Sequence, residues 1–170
     1  RVAILQNPAG DLNLEVQPPG TRALILANGT ALLAAGPGTA PAPFPNDGQL
    51  AGSELTREDL QPFDAGRYGS PTIVDRSPAE TTVSLDPHAS QYTLVVVTFD
   101  REKQVPVKVM AYKDTLSNLL RMRRERGHEK VGGRWLPNEI SIENFPLKVT
   151  STLTLKWATA DDQPARFDPK

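Results

Sequence analysis

The sequence contains no cysteine. That excludes a disulfide framework, a thiolate zinc site and a cysteine nucleophile. Aromatic residues are scarce at 6%, so an apolar core has to be built from Val, Leu and Ile. No apolar run reaches the roughly 18 residues that a membrane-spanning helix needs. Neither sign of charge dominates: 19 basic side chains against 20 acidic ones leave a formal net charge of -1. That balance gives no electrostatic reason to expect nucleic acid or an anionic membrane as partner. The G-x-S-x-G elbow and the common nucleotide-binding loops are also missing, which argues against a serine hydrolase or a nucleotide-dependent enzyme.

What the chain has in quantity is punctuation. Sixteen prolines and twelve glycines in 170 residues imply many turns. They disfavour a helical bundle and suit short strands within one domain. The chain opens at Arg1 with neither a methionine nor a signal peptide, and it reads as a mature or trimmed piece.

Short apolar runs at 1–5, 12–16 and 22–27 read as strands. Asn28-Gly29 between two apolar runs predicts a hairpin over 22–34, closed by a two-residue turn with positive φ at both positions. The Pro- and Gly-rich stretch 36–48 reads as an irregular loop. Thr56 with Asp59 three residues on has the form of a capping box for a short helix, which Pro62 ends and on which Leu55 and Leu60 form the apolar side. From residue 71 a β-meander is expected, with strands over 71–77, 80–86, 91–100 and 105–113. The run 149–157 alternates most cleanly, with Leu153, Leu155 and Trp157 on one side and threonines on the other. Residues 114–130 stay ambiguous: composition favours a helix, whereas the meander leaves room for a strand.

Candidate chemistry is sparse. His88 and His128 lack a second ligand at metal spacing and read as exposed histidines. The acidic pairs Glu58-Asp59 and Asp161-Asp162 read as a helix first turn and a solvated tail. The basic cluster 121–130 is interrupted by Glu125 and Glu129 and reads as a solvated face or edge. What remains is one continuous apolar sheet face. It is either a packed core or, if coverage is incomplete, the wall of an apolar pocket.

Three stretches carry a family resemblance. "GSELTREDLQPFDAGRY" (52–68) resembles the G-S-D-[aromatic]-x-x-E-D-L segment of the outer-membrane lipoprotein-sorting proteins, the family with the LolA fold. Here Leu55 stands where that family has an aromatic. "QYTLVVVTFDREKQVPVKVMAYK" (91–113) resembles its paired strands, and "KVGGRWLPNEISIENFPLKVTSTLTLKW" (130–157) resembles its G-x-W-x-P strand followed by a Thr-rich final strand. The matches run in order over about 52–157, and residues 1–50 match poorly.

The resemblance implies a mainly β (α+β) fold: a curved, incompletely closed antiparallel β-barrel with short helical lid segments. It implies one domain over 1–157 with a tail at 158–170, and it makes 115–127 a strand. It further implies a periplasmic, monomeric carrier whose full-length form is either lipid-anchored or free. Such a carrier shelters lipoprotein acyl chains or another lipid and works with a membrane transporter or an acceptor protein. No cofactor, metal or catalytic residue is implied. The cavity-lining candidates are Val95, Val97, Val107, Val109, Trp135, Ile140, Ile142, Leu153, Leu155 and Trp157, with Leu55 and Leu60 in the lid. The alternatives are a sensor domain that binds a lipid or peptide signal and regulates a membrane partner, or an enzyme on the same scaffold. The enzyme would need polar groups converging on the inner face, which is expected to be nearly free of titratable residues.

Overall fold

Asn28 and Gly29 show how local chemistry sets the first strands. The structure, a computed structural model, describes residues 2–158 except 8, 10, 17–19, 62, 64 and 89. The tail expected from 158 on therefore lies almost wholly outside the described residues. Strands β3 (Thr21–Ile25) and β4 (Ala31–Ala34) pair antiparallel, as expected for a hairpin. The turn is of another type than predicted. Leu26 donates to the Thr30 carbonyl and Gly29 to the Leu26 carbonyl, so the loop has three residues. Gly29 alone among them has positive φ, at 91°. This is a type I turn followed by a left-handed glycine, which needs no strain at Asn28.

The chain divides into two compact units, Arg1–Pro62 and Phe63–Thr159. In the first, β1 (Val2–Gln6), β2 (Leu12–Val16), β3, β4 and β5 (Ala42–Pro43) form an antiparallel sheet in chain order. Leu12 pairs with Ile25 and Leu14 with Ala23, so alternation puts all four on one face, and all four are buried. The stretch read as irregular thus contributes one short strand. Pro43 is tolerated there because β5 is an edge, where a missing N–H costs no ladder bond.

Helix α1 spans only Arg57–Leu60. Thr56 caps it: its hydroxyl accepts from the Asp59 N–H, and the Asp59 carboxylate accepts from the Thr56 N–H at 2.9 Å. The helix stops because Gln61 precedes a proline and is held extended, at φ -73° and ψ 141°. Leu55 lies before the cap rather than on the helix. The Arg57 guanidinium donates to the carbonyls of Phe44 (3.0 Å) and Gly29 (2.8 Å), tying the capped turn to the β3–β4 loop.

In the second unit the strands are β6 (Thr72–Arg76), β7 (Glu80–Leu85), β8 (Leu94–Asp100), β9 (Val105–Tyr112), β10 (Leu119–Arg126), β11 (Glu129–Val131), β12 (Arg134–Leu136), β13 (Glu139–Asn144) and β14 (Val149–Thr154). Among the described residues they form an open antiparallel sheet ordered β14-β13-β10-β9-β8-β7-β6, plus a separate β11–β12 ribbon. The ambiguous segment is therefore a strand from Leu119. It pairs with β9 on one side and β13 on the other, and two ladders outweigh its modest helical preference. The β8–β9 turn is held by Asp100, which accepts from the N–H groups of Glu102 and Lys103 and from Lys103 Nζ. The Lys103 amide bond is the main reason its carboxyl is held below the ordinary value.

One long hairpin bends midway. Gly127 has φ 62°, and Asn138 N–H reaches both the Arg126 and Gly127 carbonyls, at 2.9 and 3.2 Å. Pro137 supplies no donor, so the β10–β13 ladder breaks there and continues as the β11–β12 ribbon. Gly132 and Gly133, at φ 56° and 82°, close that ribbon, as a tight turn with two left-handed residues requires.

Thr56→Ala should lower stability by about 1 kcal/mol, since the hydroxyl's bonds to the Asp59 N–H and carboxylate are lost while the backbone N–H of residue 56 keeps its bond to Asp59. Chemical denaturation of the two proteins measures it, and an unchanged midpoint would contradict the role given to the cap.

Candidate functional site

Side chains that oppose one another across a ladder share a face, so register alone assembles the candidate surface. Val97 pairs with Val83 and Val109, and Val95 with Leu85 and Ala111. Val109 then pairs with Arg123, and Ala111 with Arg121. Arg123 pairs with Ile142, Glu125 with Ile140, and Ile140 with Leu153. One face of the sheet therefore runs from valines through a charged strip to isoleucines and a leucine.

Its two halves differ. On the β7–β9 side, Leu85, Tyr92, Val95, Val97 and Ala111 form a buried cluster, with Phe63, Tyr68 and Phe99 packed against it. The Phe63 ring stacks on Tyr68 with centroids 5.3 Å apart and meets Phe99 edge-on at 5.2 Å. Val95, Val97 and Val109 thus sit in or against a packed core built by the second unit's own chain. On the β13–β14 side, Ile142 and Leu153 are buried and Ile140 is half-buried.

The other candidates are scattered. Val107 is half-buried and falls at a register shift between β8 and β9. Trp135 is not on the seven-stranded sheet. It lies on the β11–β12 ribbon, with the ammonium groups of Lys103 and Lys130 at 5.7 and 6.0 Å from its ring centre. Leu155 and Trp157 lie just past the end of β14. Leu155 is buried and its N–H bonds the Asn138 carbonyl, whereas the Trp157 indole donates to the Pro137 carbonyl at 2.7 Å. Leu55 is buried and Leu60 half-buried within the first unit.

Three expectations about charge are overturned. The basic cluster is not a solvated edge: β10 is an inner strand, and Arg121 and Glu125 are buried. His128 is not exposed, since only 6% of its side chain meets solvent. His88 is exposed. The apolar face is not free of titratable groups, because Arg121, Arg123 and Glu125 follow one another on it at period two. Arg123 forms an ion pair with Glu125, and His128 Nε2 stands 3.4 Å from the Glu125 carboxylate. Burial pushes the Glu125 carboxyl up, but Arg123 and His128 more than offset this and hold it below its ordinary value. The sequence signal was present as alternation in "RMRRER". The run of charges masked it, because a solvated strand would look the same.

Glu125→Gln should destabilise the protein by about 3–5 kcal/mol, because Arg123 would stay buried without its carboxylate. The depressed carboxyl also makes wild-type stability pH-dependent. Its contribution is complete above the unfolded value near 4.5 and is lost as the pH falls through the lower folded value. Denaturation from pH 7 to pH 3 should show a steeper acid loss in wild type than in Glu125→Gln. Parallel curves would refute the assignment.

No protein-family model matches this sequence, and no curated protein matches it significantly. Solved structures do. A DUF1329 family protein from Desulfovibrio piger superposes with a TM-score of 0.74 at 13% identity, over 98% of this chain and 79% of that one. The LolA superfamily protein NE2245 from Nitrosomonas europaea gives 0.71 at 16% identity, over 99% and 80%. A domain named for outer membrane lipoprotein sorting, from Vibrio parahaemolyticus, gives 0.69 at 17% identity, over 89% and 72%. With its open antiparallel sheets and the order of its elements, the chain has a LolA-like fold.

Proposed function

We propose that this protein is a non-enzymatic carrier which shelters the acyl chains of a lipid or lipoprotein in an apolar cavity as they cross the periplasm. The observation that carries this reading is the open antiparallel sheet, in a fold shared with a domain named for outer membrane lipoprotein sorting and with a LolA superfamily protein. In this reading the contact surface centres on half-buried Ile140 on the β13–β14 side, whose neighbours Ile142, Leu153 and Leu155 are buried, while Phe63 and Tyr68 pack over the β7–β9 side. Each methylene moved from water onto such a surface contributes about 0.8 kcal/mol, so a long chain is held without directional chemistry. Release then needs a partner with a better site: a membrane transporter loads the monomeric carrier and an acceptor protein empties it. One carrier domain over 1–157 and the lid role of Leu55 and Leu60 rest on the family resemblance alone.

Protein purified from bacteria should yield lipid on extraction into organic solvent and mass spectrometry. The delipidated protein should bind a fluorescent long-chain fatty-acid methyl ester. Ile140→Glu, at a half-buried position, should weaken that binding at least about tenfold, or 1.4 kcal/mol, while keeping the β-sheet circular dichroism. A dry protein that ignores the probe would rule the carrier out.

A further inference from the structure

We propose that the end of the seven-stranded sheet formed by the β9–β10 and β13–β14 turns docks on a lipid bilayer with an anionic surface. Leu116 and Leu147 enter the head-group layer, and Lys113 and Lys148 meet lipid phosphates. This goes beyond the carrier reading, because it concerns an outer surface of the second unit and stands whether or not the protein holds an acyl chain.

Register puts the two turns side by side. Near the start of β10, Arg121 pairs with Asn144, the last residue of β13. The Phe145 N–H, which begins the β13–β14 turn, donates to the Leu120 carbonyl at 2.9 Å. The strand order β14-β13-β10-β9 then sets the middle of one turn two strand spacings, about 10 Å, from the middle of the other. Each turn is closed by its own hydrogen bond. Asn118 N–H bonds the Thr115 carbonyl at 3.0 Å, with Leu116 between them. Lys148 N–H bonds the Phe145 carbonyl at 3.3 Å, with Pro146 and Leu147 between them. Asp114 and Lys148 hold left-handed backbone, at φ 67° and 55°, which lets each loop reverse within a few residues.

Turn apices are ordinarily Gly, Pro, Asn, Asp or Ser, which supply the backbone angle or bond the chain locally. Leucine does neither, yet Leu116 is 66% exposed and Leu147 60%. Val149, at the start of β14, is exposed at the same end. One exposed leucine is ordinary, whereas two on neighbouring apices with a valine beside them form an apolar patch that is unfavourable in water. The flanking charge selects the partner. Lys113 and Lys148 are exposed, and neither ammonium meets a carboxylate among the described residues. Asp114 is the only carboxylate on the two turns. Apolar tips beside free lysines suit a bilayer, where leucines reach the acyl boundary and ammonium groups stay with phosphate. The neutrality of the whole chain does not oppose this, because a membrane's surface potential acts only on charges within a Debye length, roughly 8 Å. A protein partner would need a shaped pocket for each leucine; a bilayer needs only that both lie at one end of the sheet.

The test is sedimentation of the full chain with vesicles of phosphatidylcholine alone and of phosphatidylcholine mixed with phosphatidylglycerol. The protein should pellet with the mixed vesicles, less so as salt is raised, and only weakly with phosphatidylcholine. Leu116→Ser combined with Leu147→Ser should lower partitioning onto the mixed vesicles at least about tenfold. Lys113→Gln combined with Lys148→Gln should abolish the difference between the two vesicles. All four positions are exposed, so both double variants should keep the wild-type denaturation midpoint. Wild-type protein that stays in the supernatant with both vesicles would overturn the inference, as expected if the patch belongs to a protein partner. Pelleting that the leucine substitutions leave unchanged would also overturn it, since another surface would then make the contact. A protein that only extracts lipid molecules stays in the supernatant with them, so neither outcome touches the carrier reading.

Discussion

Strand β10 has to satisfy two requirements at once, and the rest of the second unit is arranged around how it does so. Its backbone must pair on both sides, with β9 and with β13, or the sheet falls into two pieces. Its side chains at alternate positions are Arg121, Arg123 and Glu125, which are poor candidates for burial. The ladder can form only if those charges are compensated where they lie. Arg123 and His128 do this for Glu125, and the depressed carboxyl is the sign that attraction exceeds the desolvation cost. His128 reaches the cluster because Gly127 turns the chain through a left-handed position just after the strand.

That same bend separates two jobs. Below it, β10 and β13 belong to the broad sheet. Above it, β11 and β12 form a ribbon that carries Trp135 between two lysines. The bend is secured from the far side by Trp157, whose indole holds the Pro137 carbonyl. The two tryptophans are therefore positioned by polar and cation–π contacts at a hinge and a ribbon, and neither is on the seven-stranded sheet. A residue type associated with ligand contact has here a structural neighbourhood of its own.

Apolar burial on the seven-stranded sheet lies on both sides of a charged strip. At β7, β8 and β9 the chain brings its own aromatic cover, Phe63 and Tyr68. At β13 and β14 the alternation continues as Ile140, Ile142 and Leu153. The charged strip of β10 lies between the two halves, so apolar burial is interrupted there and resumes at β13.

Much of this was legible locally. The strands of the meander and the Thr56–Asp59 cap follow from alternation and side-chain hydrogen bonding, which act within a few residues. The Asn28-Gly29 turn was legible as a turn but not as to type, because loop length depends on where the flanking strands take up register. The identity of 119–126 as a strand, and the burial of Arg121, Glu125 and His128, were not legible from the residues themselves. A charged alternating segment is compatible with a helix surface, an edge or an inner strand. The partners decide between them: a shift of one residue in register would send every arginine to the opposite face. The sequence by itself determined which segments extend and where they turn. Only the tertiary structure decided which face each residue meets, since burial and charge compensation come from strands distant in the chain.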